Sequence, residues 1–390
     1  MDKKNKNPNV PNLRFDFQLP WKTYKVDNII ESCGGGTPST KVISYWQGDI
    51  PWISSSDLFE NNIRDINVSR YITKEAIKCS AAKLCPKKTI CIVSRVGVGK
   101  VAVTTEFLCT SQDFMNITHF EGNKYFLAQL IQNKIKSSQL QGTSIKGITS
   151  KEIKDMSLFI PSRAEQDKIV KFLNIIDQRI ETQIKIIDDL VLQKKYITNS
   201  LLESIQDNEK IMLKDVLFDY NVKTTVNNEY PVLSSTASGM YLQSDYFNKE
   251  TSSDNTIGYK IVPRGYCTYR SMSDTGLFTF NMQKLVEKGI VSPAYPVFSS
   301  NDDYINEFII LYLNNSSYIK KQILESKSGG TRFALPFSAL CTLKIPKLEK
   351  EKQLASIKTV TAFERKIENE EIILDKLHQQ KNYLLNNVFI

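Results

Sequence analysis

Histidine is almost missing from this chain: His119 and His378 are the only two in 390 residues. Proton transfer near neutral pH leans on that side chain. A Ser-His-Asp or Cys-His relay would rest on His119 alone, and no nucleophile elbow accompanies it. The seven cysteines (33, 79, 85, 91, 109, 267, 341) are odd in number and never spaced Cys-x-x-Cys. That argues against a disulfide framework and a zinc ribbon, and for the reduced thiols of a cytoplasmic protein. Cys79, Cys85 and Cys91 are expected to be buried. No apolar run approaches the roughly 18 residues of a membrane span, and the start MDKKNKNPNV lacks the apolar core of a signal peptide.

Phosphate loops are lacking too. In SRVGVGKVAV (94–103) Ser94 and Val101 stand where a Walker A loop needs Gly and Ser/Thr, so Gly97 and Gly99 read as a turn between two strands. GGGTPST (34–40) lacks the Gly-x-Gly-x-x-Gly spacing of a dinucleotide site. One nuclease-like fragment is present, Asp302-Asp303 upstream of Glu325-Ser326-Lys327. Such groups could hold a metal and activate water, but the plainer reading is the end of a solvated helix. These absences describe a binding scaffold better than an enzyme.

What is there begins with size and charge. A chain of this length exceeds one typical domain, and 41% hydrophobic residues support real cores. Of the formal charge of +9, residues 1–160 carry +8, from 22 Lys+Arg against 14 Asp+Glu. Residues 211–345 are close to neutral, with 13 against 12. A basic first stretch fits a polyanionic partner, nucleic acid before membrane.

The chain is also written twice. EQDKIVKFLNIIDQRIETQIKIIDDLVLQKKYITNSLL (165–202) aligns with KQLASIKTVTAFERKIENEEIILDKLHQQKNYLLNNVF (352–389) at a constant offset of 187. Each follows an Ile-Pro step, 160–161 and 345–346, where proline separates a strand from the helix to come. Both segments carry a coiled-coil seam. In the first it runs through Leu173, Ile176, Ile180, Gln183, Ile187, Leu190, Lys194, Ile197 and Leu201. In the second it runs through Val360, Phe363, Ile367, Glu370, Leu374, Leu377, Lys381, Leu384 and Val388. The polar breaks coincide, which packing on a single domain does not explain. At 1.5 Å per residue each helix is roughly 55 Å long, and an antiparallel pair with Ile187 and Leu374 near its midpoint is expected. The globular parts repeat more faintly. Lys25–Ile30 matches Met212–Leu217, Pro51–Ser55 matches Pro231–Ser235, and ICIVSR (90–95) matches YCTYR (266–270). Helices near 124–139 and 303–325 each run into Gly-Thr.

On four of these features the sequence resembles the specificity (S) subunits of type I restriction–modification systems, over essentially its whole length. They are GGGTPST…YWQGDIPWISSSDL, the junction IPSRAEQDKIVKFLNIIDQRIE, its second copy from Ile345, and the lead-in NVPNLRFDF…W. The second junction departs from the pattern: PKLEKEKQ puts two extra residues before Gln353. The resemblance implies an α+β fold in which two mixed α/β target recognition domains are separated by two long helices forming an antiparallel coiled coil, with a pseudo-two-fold internal repeat. The expected divisions are a first recognition domain (1–160), a central helix (161–208), a second recognition domain (209–345) and a C-terminal helix (346–390). Each recognition domain would read half of a split duplex DNA target, with half-sites roughly one turn of ~34 Å apart. The helices would dock two methylation (M) subunits, and restriction (R) subunits would join the full complex. S-adenosylmethionine, ATP and Mg would belong to those partners, leaving no cofactor or catalytic residue on this chain. A coiled-coil adaptor that does not bind DNA is the other reading.

Candidate DNA contacts are Thr37, Ser39, Lys41, Arg95 and Lys100 in the first half, and Ser234, Arg270 and Arg332 in the second. Arginine reads guanine bidentately, whereas lysine and hydroxyls mostly hold phosphate. Arg95 and Arg270 each end a strand before a turn, so either they share a role facing the duplex or they form structural salt bridges. Trp46 and Trp52 read as core anchors, Gly34–Gly36 as a turn open to close approach by phosphate or packed chain, and Ser54–Asp57 as a strand end and helix cap.

Overall fold

The strand Ile90–Val93 is apolar at every position and buried at every position. Ile90 and Ile92 join the core shared with Phe126, Leu127 and Ile131 of the helix Lys124–Gln139. Cys91 and Val93 join Ile53, Leu58 and Leu108. A strand covered on both faces reads as a continuous apolar run instead of an alternating one. Its hairpin to Val101–Val103 turns on Gly97 and Gly99, with φ of +83° and +90°, a region that suits glycine.

In this computed structural model the described residues are 10–17, 19–139, 147–246, 255–325 and 333–390. The chain forms two units, residues 1–183 with 373–390, and residues 184–372. Each globular stretch therefore keeps part of both long helices.

In the first unit, Lys22–Lys25 pairs antiparallel with Ser157–Ile160 and leads into a 3-10 turn, Val26–Asn28. A four-stranded sheet follows in the order Glu31–Gly34, Phe114–His119, Ile90–Val93, Val101–Val103, antiparallel throughout. A second sheet orders Arg70–Ile72, Ile50–Ile53, Leu108–Thr110 and Leu84–Cys85, with a parallel central pair.

The second unit repeats this plan. Lys210–Met212 pairs with Lys344–Pro346 before the 3-10 turn Leu213–Asp215. Its four-stranded sheet orders Leu217–Asp219, Val297–Ser300, Cys267–Tyr269, Phe280–Met282. ICIV and CTY thus occupy the same place in equivalent sheets. The parallel pairing of Trp52 with Cys109 has its counterpart in the bridge from Val232 to Ile290.

The offset of 187 holds in the register itself. Lys25 faces Ser157 as Met212 faces Lys344, and the long helices begin at Arg163 and Lys350. This corrects the Ile-Pro equivalence. Pro161 follows its strand, whereas Pro346 is the last strand residue and faces Lys210. The second Ile-Pro step has slid two residues towards the N-terminus, and the helix start has not moved.

Gln166 and Gln353 fix those starts. Gln166 Oε1 accepts from Asn123 N at 2.8 Å, and its Nε2 donates to Pro161 O at 3.0 Å. Gln353 Oε1 accepts from Ile305 N at 3.0 Å, and its Nε2 donates to Leu348 O at 2.8 Å and Asp303 O at 2.9 Å. The lead-in closes on the same turn: Glu165, buried, accepts from Arg14 at 2.8 and 2.9 Å and from Trp21 Nε1 at 3.1 Å.

The helices Arg163–Ser204 and Lys350–Val388 pack antiparallel within each unit. Lys381 Nζ meets Asp177 at 2.7 Å in the first, and Lys194 Nζ meets Glu364 at 3.1 Å in the second. Asp177 and Glu364 stand 187 apart, as do Lys194 and Lys381, so the coincident break at Lys194 and Lys381 is one ion pair made twice. Leu173, Ile176, Ile180, Gln183, Leu190, Val360, Leu377, Leu384 and Val388 are buried. Ile187, Phe363, Ile367 and Leu374 are half-buried.

Two expectations change in detail. Cys79 is exposed, while Cys85 and Cys91 are buried as expected. The helix near 303–325 is two helices, Asn306–Asn315 and Ser317–Glu325, parted by Ser316 in extended conformation. The Gly-Thr steps at 142–143 and 330–331 lie outside the described residues.

The two equivalent ion pairs differ in burial: Lys381 and Asp177 are 12% and 20% exposed, Lys194 and Glu364 34% and 54%. Lys381→Met is therefore expected to cost about 1.5–3 kcal/mol in urea unfolding, and Lys194→Met about 0.2–1 kcal/mol. Equal costs would contradict the difference in burial.

Candidate nucleic-acid interface

The tryptophans of the Gly-rich stretch hold its loop in place. Trp52 is buried and its Nε1 donates to Gly36 O at 2.9 Å. Trp46 stands edge-on to it, with ring centroids 5.0 Å apart, and donates to Ser39 O at 3.2 Å. Between them the rings grip both ends of the Thr37-Pro38-Ser39 turn. Gly35 and Gly36 answer to packed chain. A Cβ on Gly35 would lie 2.1 Å from Ser111 O, and one on Gly36 2.1 Å from Ala81 O, whereas Gly34 has nothing within 4 Å. Ser54 begins a 3-10 turn, Ser55–Asp57, and its N–H donates to Asp57 Oδ2 at 2.7 Å.

Arginine bookkeeping separates structure from candidate contact. Arg14 is committed to Glu165. Arg70 binds Asp57 at 2.8 Å and lies over Trp52, and Arg64 lies over Tyr125 at 4.5 Å. Arg264 pairs with Glu287 at 3.0 Å. Arg95 and Arg270 are exposed and make no ion pair among the described residues. Arg332 lies outside the described residues.

A serine beside each of these arginines anchors its turn. Ser94 Oγ donates to Asp113 O at 2.8 Å, and Ser271 Oγ donates to Ala294 O at 3.0 Å. Both acceptors sit on the link that crosses from one sheet of their unit to the other. Thr37 Oγ1 bonds to Gln112, and Gly36 N donates to Thr110 O at 2.8 Å. The loop carrying Thr37, Ser39 and Lys41 and the turn carrying Arg95 therefore share one anchor, Thr110–Asp113. Sequence reasoning missed this link, although Ser-Gln-Asp between two apolar strands is a turn signal.

Ser39 and Lys41 are exposed. Lys100 is half-buried, with Nζ 3.4 Å from Ser55 O. In the second unit Ser234 and Arg270 line one cleft of about 630 Å³, with Thr236, Tyr259, Ser273 and Tyr295. Of the nuclease-like fragment, Glu325 pairs with Lys321 at 3.8 Å and Lys327 lies outside the described residues.

Two equivalent α+β units each place an exposed arginine, without an ion pair among the described residues, beside an anchored turn, and each is joined to a long paired helix. Residues 18–190 match the family of type I restriction modification DNA specificity domains. The type I restriction enzyme MjaIX specificity subunit of Methanocaldococcus jannaschii is 36% identical over 173 residues, which are 42% of this chain and 40% of that relative. The EcoR124I/EcoR124II specificity subunit of Escherichia coli is 26% identical over 227 residues, 54% of this chain and 51% of that relative. These alignments thus span about half of the relatives' own lengths or less. A solved chain from work on complex assembly and conformational transition of the type I R-M system superposes with a TM-score of 0.64, covering 95% of this chain and 98% of that one. At 13% identity that likeness is one of fold. Residues 18–190 are thus similar to the specificity domains of type I restriction–modification systems, and the chain as a whole shares their fold.

The packed glycines yield a direct contrast. Gly36→Ala must displace the Ala81 backbone and is expected to cost about 1–3 kcal/mol, as overpacking does. Gly34→Ala should stay within about 0.5 kcal/mol. Thermal unfolding followed by tryptophan fluorescence reads both, because Trp46 and Trp52 report on the loop.

Proposed function

We propose that this chain is the sequence-reading subunit of a type I restriction–modification complex, each unit contacting one half of a split duplex target. The observation that carries this reading is the pair Arg95 and Arg270. They are exposed, without an ion pair among the described residues and equivalently placed, while the other described arginines of the two globular stretches are held by carboxylates or aromatic rings. An unpaired guanidinium on an anchored turn is free to take a guanine edge or a phosphate.

The helices support the partner side of the proposal. Ile186 and Tyr196 are exposed on the central helix, and their equivalents Ile373 and Tyr383 are exposed on the C-terminal one. Tyr196 is 74% exposed and Tyr383 59%. An apolar surface kept twice, while the globular parts diverged, suits two copies of one partner, here the methylation subunits. Catalysis, with S-adenosylmethionine, ATP and Mg, would then come from the methylation and restriction subunits.

Binding of target and random duplexes by the chain with its methylation subunit tests the reading. Arg95→Ala and Arg270→Ala are each expected to cost about 1–3 kcal/mol on the target and much less on random duplex. An equal loss on all sequences would make the arginine a phosphate anchor. Unchanged binding by the folded variants would remove both arginines from the interface.

A further inference from the structure

The segment TKEAIKCSAAKLCPKKTI (73–90) holds five lysines and one acid, Glu75. Its helix, Lys74–Lys78, packs against the 3-10 turn Ile43–Trp46, and Thr73 N donates to Tyr45 O at 3.0 Å. Ala81 backs Gly36, which brings Lys83 to the edge of the same loop. Lys41, Lys74, Lys78 and Lys83 are all exposed, and none makes an ion pair among the described residues. Lys25, Lys87 and Lys154, by contrast, are paired with Asp155, Glu106 and Asp27. Against these four exposed lysines stand Asp49 and Glu75, the exposed carboxylates of residues 34–58 and 73–90. From this cluster a connected path leads to the candidate arginine. Gly36 bonds to Thr110, Thr37 to Gln112 and Ser94 to Asp113, and Arg95 follows.

Among the described residues the second unit has no such lysine cluster in the same place. Its hairpin, Leu233–Thr236 with Gly239–Leu242, is also followed by a short helix, Gln243–Tyr246, and then by the strand Lys260–Pro263. Residues 243–266 carry three basic and three acidic residues, and the helix reads QSDY where the first unit has KEAIK. The two units share a fold and differ in charge at one matched element.

We infer that the first unit alone grips the phosphate backbone, through Lys41, Lys74, Lys78 and Lys83, and that the second unit contributes discrimination with little counterion release. The inference rests on the DNA reading above and adds a division of labour to it. Each phosphate neutralised by a lysine releases condensed counterions and steepens the fall of affinity with salt.

The test is the salt dependence of binding between the full-length chain, with its methylation subunit, and a random-sequence duplex. Lys74→Gln, Lys78→Gln and Lys83→Gln combined should reduce the slope of log affinity against log salt by about 2.7, at 0.9 per contact. Between about 50 and 200 mM salt the wild type should then lose about 40-fold more affinity than this variant. A control change of three lysines in the second unit, Lys214→Gln, Lys223→Gln and Lys260→Gln, should leave the slope within about 0.5 of wild type. Circular dichroism confirms that both variants are folded. An unchanged slope in the first variant, or equal reductions in the two, would overturn the inference. If Arg95→Ala still lost discrimination in that case, the DNA reading itself would stand. A wild-type complex that binds no duplex at all would overturn both.

Discussion

At the first turn of each long helix a glutamine side chain is buried, Gln166 at 4% and Gln353 at 0% exposure, and its amide is satisfied on both sides. A buried amide left unpaired costs on the order of 1–3 kcal/mol, so each helix must begin where its glutamine can reach the N-terminus of an earlier helix of its unit and the strand–helix link. The reach is to the start of Lys124–Gln139 in the first unit and of Asn306–Asn315 in the second, and it ties a globular unit to its helix at one register. Further along, Lys381 with Asp177 and Lys194 with Glu364 tie helix to helix. Each globular unit needs a fixed attachment to its helices, and these groups supply it twice. This explains why the helical segments kept their likeness while the globular sequences drifted.

Helix periodicity made the paired helices legible in the sequence, and the offset of 187 made their equivalence legible. Lys194 and Lys381 stood out as polar breaks, but their partners could not be read from a single stripe, because an ion pair across a coil depends on the facing helix. The sheets were visible only where strands are buried on both faces, as at ICIV. Short pieces such as Leu84–Cys85 carry too little pattern to declare themselves. Ile345-Pro346 misled for a physical reason: proline is tolerated at a strand end as well as after it, so the dipeptide marks a boundary only to within two residues.

The candidate interface was half legible. Arg95 and Arg270 could be chosen from their placement after equivalent strands, but whether they were free depended on where each carboxylate went. Asp57, for instance, is taken by Arg70, and Glu165 by Arg14. The glycine triplet carried two open readings, ligand approach or chain approach. The Ala81 and Ser111 carbonyls decide for the chain at Gly36 and Gly35. The lysines of 73–90 did not stand out, because a charge run is ordinarily a solvated face. They acquire meaning only when the matched helix of the second unit is seen to lack them.

The central claim is that each unit reads its own half of one split target. Exchange of residues 1–160 for the same region of a related specificity subunit, co-expression with the methylation subunit and genome-wide mapping of methylated positions address it directly. The account predicts a hybrid target in which one half changes and the other half and the spacer are retained. Change in both halves, or methylation at the unaltered parental target, would contradict it.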